Sequence, residues 1–509
     1  MANVLADYLS ENKGKDLDPS MVAYVASLEK VSEVSPLVAS RIVNELTDQR
    51  SYLKLIASEN FSSEATQLAM GNLLTDKYSE GFPYHRFYAG CDNVDAIEAE
   101  ACEQACELFG ADHAYVQPHS GADANLCAYW AILNKEVQVP ALDKIGISNP
   151  SDLTREDWDK VREACGNQRL LGMDYYSGGH LTHGYRQNVS AQMFDAYGYT
   201  VDKETGLLDY DVIEKQAMEI KPLIFLAGYS AYPRKVDFKR MSEIAHKCGA
   251  VFMVDMAHFA GLVAGKVFTD ESNPVLWADV VTTTTHKTLR GPRGGMILCK
   301  EEFAEYVDKG CPLVIGGPLP HVMAAKAIAL TEANQDSFKS YASKIVENSD
   351  AMAKEFIKKG VTVATGGTEN HLMLLDVTAS FDLNGRQAEH VLRKCGVTLN
   401  RNALPFDANG PWYTSGLRIG TPAVTSLGMG VEEMKEIADI ITDVLKNSKP
   451  AKITKGKNAG KTSKARAVCD AEVQKSAKSR IQALLDQFLL YPTLDLDFLK
   501  KHFPLIESK

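Results

Sequence analysis

Between about residues 51 and 330 short apolar runs alternate with stretches of helical periodicity. This is the pattern of strands joined by crossover helices, and it commits the chain to an α/β fold on a largely parallel sheet. Residues 223–228 read as a buried strand; Met241, Ile244, Ala245 and Cys248 then recur at i, i+3, i+4 and i+7 as the face of the next helix. Gly249 ends that helix without a Cβ penalty, and the apolar run 251–254 delivers Asp255 at its carboxyl end. A third strand over 279–284, rich in β-branched residues, delivers His286 and Lys287 to the same edge. Because ligands sit at the carboxyl ends of parallel strands, Ser230, Asp255 and Lys287 are expected together.

Past residue 330 a long polar helix, strand-like pieces at 361–364 and 372–377 and a helix near 387–394 read as a smaller α+β domain. The expected organisation is a helical N-terminal arm (1–50), a large domain (51–330, with an inserted segment at about 137–168), the small domain (331–447), a linker (448–469) and a helical extension (470–509). Seven basic residues and no acid stand between Lys449 and Arg466, among Gly, Ser and Pro, so the linker is expected to be flexible. Val473, Ala477, Ile481, Leu484, Leu485, Phe488 and Leu489 then form one apolar helical stripe, which needs a covering surface.

Charge and cysteine usage narrow the function. With 55 basic against 66 acidic residues the net charge is −11, which opposes binding of a phosphate backbone by the protein as a whole, so no specific nucleic-acid partner is expected. Segment 449–466 is the one feature that would suit an RNA-associated or regulatory protein. Ten cysteines include no CxxC pair, which points to a reduced compartment without a disulfide framework. The N-terminus lacks a basic segment followed by an apolar core, and the apolar stretch 250–265 is broken by Asp255 and His258. A soluble, cytoplasmic protein that does not enter membranes is expected.

The strongest chemical signal is VTTTTHKTLRGPRGG (281–295), a lysine at a strand end followed by a glycine-rich turn. A desolvated lysine near other cations, which His286 and Arg293 would supply, is nucleophilic and forms Schiff bases. Asp255 alone could be a helix cap or half of a buried ion pair. If Lys287 held a pyridine aldehyde, Asp255 would instead keep the ring nitrogen protonated. His180, in GGHLTH (178–183), would cover a ring face, and the helix start after Ser120 and Gly121 would face a phosphate. The HxxH pair suggests a metal, but no HExxH and no nearby carboxylate complete a set, so no metal is expected. Neither GxGxxG after a strand nor GxxxxGK[ST] is present.

Together with LIASEN (55–60), KYSEG (77–81), VQPHSG (116–121), VDMAH (254–258) and TSGLRIGTP (414–422), these motifs resemble the serine hydroxymethyltransferase family over roughly residues 30–447. The resemblance implies an aspartate-aminotransferase-like fold and pyridoxal 5′-phosphate bound covalently through Lys287. Asp255 would pair with the ring nitrogen, His180 would stack on the ring, and Ser120, Gly121, Ala122 and His286 would surround the cofactor, with Ser230 and His258 near its ring oxygen. Arg418, assisted by Ser58, would grip the amino-acid carboxylate, and Tyr175, Gly179, Leu181, Asn402 and Trp412 would surround tetrahydrofolate. Tyr78, Glu80, Tyr88 and the turn of Gly316 and Gly317 would come from a neighbouring subunit, implying a homodimer or a dimer of dimers.

The implied reaction is reversible transfer of the serine hydroxymethyl group to tetrahydrofolate, with Glu80 moving a proton. A folate-independent threonine or 3-hydroxy-amino-acid aldolase is the alternative on the same fold. The chain departs from the family pattern at Ala122, where a Ser is expected beside Asp123, at Tyr175, usually aliphatic, at Trp412 in place of Phe, and at Ile315 in place of Gln. Thr154 and Asp157 read as a capping box opening a helix within the inserted segment.

Overall fold

The structure, a computed structural model, describes residues 3–507. Its central sheet has seven strands: β1 (His113–Tyr115), β2 (Arg169–Met173), β3 (Asp195–Tyr199), β4 (Ile224–Gly228), β5 (Val251–Asp255), β6 (Val280–Thr284) and β7 (Gly295–Cys299). They lie in the order β1-β7-β6-β5-β4-β2-β3; β2 to β6 run parallel, and β7 is antiparallel to both its neighbours. Phe225 and Phe252 face one core while Ile224, Leu226 and Met253 face another, so the middle strands are covered on both sides. This is why their sequences read as continuous apolar runs instead of alternating ones. Helix α1 (Gly121–Leu133) packs on one face, and the helix Phe238–Cys248 stops at Gly249, whose φ of +80° suits glycine.

A second, antiparallel sheet contains β8 (Thr362–Val363), β9 (Leu372–Asp376), β10 (Asn400–Asn402) and β11 (Gly416–Gly420), in the order β8-β9-β11-β10. Helices Asp336–Lys358, α2 (Gly385–Lys394) and Val431–Lys446 bury apolar residues against it.

Beyond residue 447 one expectation is corrected and another is met within the chain. Residues 448–469 are an antiparallel hairpin of β12 (Ser448–Lys452) and β13 (Thr462–Cys469), not a flexible linker. β13 buries Ser463 and Ala467 and turns Lys464 and Arg466 outward; Gln387 Nε2 donates to the Ser463 carbonyl (2.7 Å) and Asn384 Nδ2 to that of Lys464 (2.9 Å). Composition argued for disorder because it counts the segment alone, whereas ladder bonds and contact with α2 supply the missing partners. The apolar stripe is likewise covered by the chain itself. Ala477, Ile481, Leu484 and Leu485 of helix Ala471–Gln487 join the core beneath the second sheet, and Arg480 pairs with Glu436, Asp439 and Asp443. Further on, Phe498, Leu499 and Phe503 pack with Tyr8, Met21 and Val25, so the two ends of the chain share one cluster.

The inserted segment holds the helix Arg155–Cys165, with Thr154 accepting from the Asp157 N–H (3.2 Å). Among the described residues no helix is long and apolar enough to cross a membrane.

Candidate active site

A cavity of about 770 Å³ lies at the carboxyl ends of β4, β5 and β6, faced from the second sheet by β10 and Arg418 of β11. Two glycines make the approach possible. A Cβ on Gly228 would stand 2.0 Å from the Asp255 carbonyl oxygen, and one on Gly295 would stand 2.1 Å from that of Ser120. The glycine-rich turn after Lys287 therefore serves to bring the start of α1 up to the lysine.

Asp255 forms the floor. Its Oδ2 accepts from His183 Nε2 (3.1 Å) and Asn125 Nδ2 (2.9 Å), and its Oδ1 from the Ala257 N–H (3.0 Å). Burial raises its pKa, but the bond to His183, the nearby histidines and Asn125 together hold the carboxyl below the usual carboxylate range. Asn125 is fixed in turn, donating to the Thr182 hydroxyl (2.8 Å) and accepting from that of Thr282 (2.5 Å).

Lys287 follows β6 with φ +54°, a conformation that a non-glycine residue keeps only where its surroundings impose it. Asn60 Nδ2 donates to its carbonyl (2.7 Å). Burial pushes its amine down to about 8 against the pull of Asp255, with Arg418 and Arg293 adding to the lowering. The expectation for its cationic neighbours is half corrected. Arg293 lines the cavity, but burial takes His286 down to about 3, with Lys287 and Arg293 contributing, so His286 is a neutral imidazole and the second cation is Arg418.

His180 lines the cavity, its Nδ1 bonded to the Thr182 hydroxyl (2.7 Å); burial takes it down to about 4, so a neutral ring faces the ligand space. Arg418 donates from Nε to Asn400 Oδ1 (3.2 Å) and from Nη1 to the Ser230 carbonyl (2.7 Å), which uses two of its five N–H groups and joins the two sheets. Burial lowers it to about 10, and it remains a cation at neutral pH.

Ser58, Ser120, Gly121, Ala122, Ser230 and His258 also line the cavity. So do Tyr175, Gly179, Leu181 and Asn402. Six predicted residues do not. Glu80 accepts from the hydroxyls of Tyr78 (3.3 Å) and Tyr88 (3.2 Å) on a face where those rings are 56% and 46% exposed. Gly317, next to Gly316, belongs to the same patch, since a Cβ on it would meet Tyr78 Cζ at 3.0 Å. Trp412 is turned away, its exposed ring lying under the guanidinium groups of Arg386 (4.8 Å) and Arg401 (5.8 Å), and its neighbour Pro411 lines the cavity instead.

The expectation that no carboxylate lies near the HxxH pair is also corrected, because His180, His183 and Asp255 bring ligand-type atoms within 4.8 Å of one another. The His183–Asp255 bond and the His180–Thr182 bond already engage those atoms. Asn125, His183 and Asn400 are the supporting residues that sequence reasoning did not assign. Asn125 sits in the first turns of α1, and Asn400 shares a strand face with Asn402, so a period-two reading of 400–402 would have found it.

The chain matches a family model described as serine hydroxymethyltransferase over residues 31–149 and 164–441. The unmatched piece, 150–163, falls within the inserted segment. It is 60% identical over 501 residues to a serine hydroxymethyltransferase of Treponema pallidum, covering 98% of this chain and 86% of that one. Relatives of the same name from Salinispora tropica and Chlamydia muridarum are 56% and 50% identical, covering 93% and 98% of this chain and 98% and 100% of theirs.

Proposed function

The chain belongs to the serine hydroxymethyltransferase family, and from that premise we propose that its cavity carries out the reversible transfer of the serine hydroxymethyl group to tetrahydrofolate, giving glycine and 5,10-methylenetetrahydrofolate. The observation that carries the reading is the convergence in one cavity of a buried amine, a buried carboxylate and a buried guanidinium, Lys287, Asp255 and Arg418.

These residues fit pyridoxal 5′-phosphate. The buried Nδ1 of His286 has no hydrogen-bond partner, and the first N–H groups of α1 open toward the same space. Once bound through Lys287, the cofactor supplies an electron sink for breaking a bond at the amino acid's α-carbon. Asp255 would keep a proton on the ring nitrogen, and the three bonds to its own oxygens hold it in place for that task. His180 would cover a ring face, and Ser120, Gly121 and Ala122, which line the same space, would hold the phosphate.

Arg418, with Ser58 beside it, fixes the substrate carboxylate by a two-pronged donor set. Tyr175, Gly179, Leu181 and Asn402 form the side of the cavity that takes the folate. Glu80, Tyr78, Tyr88, Gly316 and Gly317 serve the site of a second copy in a homodimer or a dimer of dimers. There Glu80 holds a proton near the serine hydroxyl and the folate N5 and releases it during transfer.

The test is to mix purified holoenzyme with glycine and then with tetrahydrofolate. A long-wavelength visible band that needs both ligands is the expected result; a band or cleavage indifferent to folate would favour the aldolase alternative.

A further inference from the structure

One contact at the wall of the cavity, between His258 and a second buried histidine, is not used in the reading above. His258, which ends the VDMAH turn after β5 and lines the cavity, is 3% exposed, and His371 behind it, next to the start of β9, is 0% exposed. The two rings meet through nitrogen, His258 Nδ1 to His371 Nε2, at 3.2 Å with the ring planes at 33°. Burial pushes both below the ordinary histidine range, His371 to about 3, and Arg418 and Lys287 add in the same direction. Each ring therefore carries one proton at neutral pH, and one N–H lies between them.

Two arrangements meet that condition. If His258 donates from Nδ1, its Nε2 is a bare lone pair and the proton of His371 sits on its own Nδ1. That atom is buried and has no hydrogen-bond partner, so an N–H would be stranded in the core. If His371 donates from Nε2, its Nδ1 keeps only an unused lone pair, and His258 carries its proton on Nε2, the nitrogen left for the cavity. A buried N–H without an acceptor is the rarer and costlier defect.

We propose that His371 is a positioning residue that fixes His258 as a hydrogen-bond donor toward the ligand in the cavity. The donor state follows from the pair alone. That the acceptor is an anionic ring oxygen of the cofactor rests on the function proposed above.

The direct test uses full-length, cofactor-free protein labelled with ¹⁵N-histidine and long-range proton–nitrogen correlation, His258 being assigned by its disappearance in His258→Asn. The expected pattern is His258 protonated on Nε2; protonation on Nδ1 would overturn the proposal. This readout does not depend on activity, so a protein that showed it but bound no pyridoxal phosphate would refute the proposed function and leave the pairing intact.

A second test compares His371→Gln, whose amide N–H reaches the place of the ring Nε2–H, with His371→Leu. Pyridoxal phosphate affinity should fall about tenfold in the leucine variant and stay within about threefold of wild type in the glutamine variant, the difference of one hydrogen bond. Equal losses in two folded variants would reduce His371 to core packing and overturn the proposal. If both variants fail to fold, the nitrogen pattern of the wild-type protein decides alone.

Discussion

At the floor of the cavity Asp255 accepts three hydrogen bonds from side chains and backbone of its own chain, and Lys287 is enclosed by Arg293, Arg418 and the Asn60 loop. On the outer flank Glu80 holds only two tyrosine hydroxyls, both on rings about half exposed, and it does not reach that cavity at all. Both regions carry the residue types of acid–base chemistry, yet only the floor is complete within one chain. A desolvated carboxylate or amine needs its partners in place before the ligand arrives, because leaving it unpaired costs several kcal/mol. A half-buried carboxyl held only by two exposed tyrosines is under less strain of this kind and can wait for a second surface. If the flank is half of a site shared with a second copy, as proposed above, substitutions in the two regions should behave differently.

The largest effect is expected at the floor. Lys287→Arg keeps a cation but removes an amine that can lose its proton, since guanidinium stays charged. Turnover should fall by several orders of magnitude in a protein that still folds and holds cofactor noncovalently. Normal turnover, or borohydride fixing the cofactor to another lysine, would move the chemistry away from Lys287.

Next comes the flank. Glu80→Gln preserves size and hydrogen bonding and removes titration, so transfer from serine to folate should drop roughly 10²- to 10⁴-fold. Folate-independent cleavage of 3-hydroxy amino acids should persist, and equal losses in both assays would show that Glu80 only stiffens the surface.

Arg418→Lys tests the joint between the two sheets. A point charge replaces a two-pronged donor and gives up the bond to Asn400 or to the Ser230 carbonyl, so serine and glycine should both bind about 2–4 kcal/mol more weakly. Affinities unchanged for both amino acids would remove Arg418 from the substrate site.

The smallest effect belongs to the hairpin. Replacing its exposed tip, 454–460, by a short turn should change stability by no more than about 0.5 kcal/mol in a denaturant titration and leave turnover intact. Loss of cofactor binding on trimming the tip would tie the hairpin to the cavity.

The sequence made the sheet and the floor legible because both depend on local pattern. Apolar and β-branched runs ending in Asp255 and just before Lys287 could be placed at one edge without knowing any distant contact. Contacts between residues far apart in the chain left no such trace. Asn125 meets Asp255 across 130 positions and His258 meets His371 across 113, and neither spacing has a signature. His286 was misjudged as a cation because residue type alone does not report burial. The hairpin at 448–469 was hidden by its lysines, which line its exposed side while Ser463 and Ala467 face α2 and the core of the second sheet.

The measurement that bears most directly on the division between a complete floor and a shared flank is subunit complementation. Lys287→Arg and Glu80→Gln proteins, each nearly inactive, are mixed, dissociated and reassociated. In a hybrid dimer one cavity would combine an intact Lys287 with an intact Glu80 from the other chain, so activity should recover to about a quarter of the wild-type level for random reassociation. Hybrids that form but show no recovery would place Glu80 in the cavity of its own chain and contradict the account.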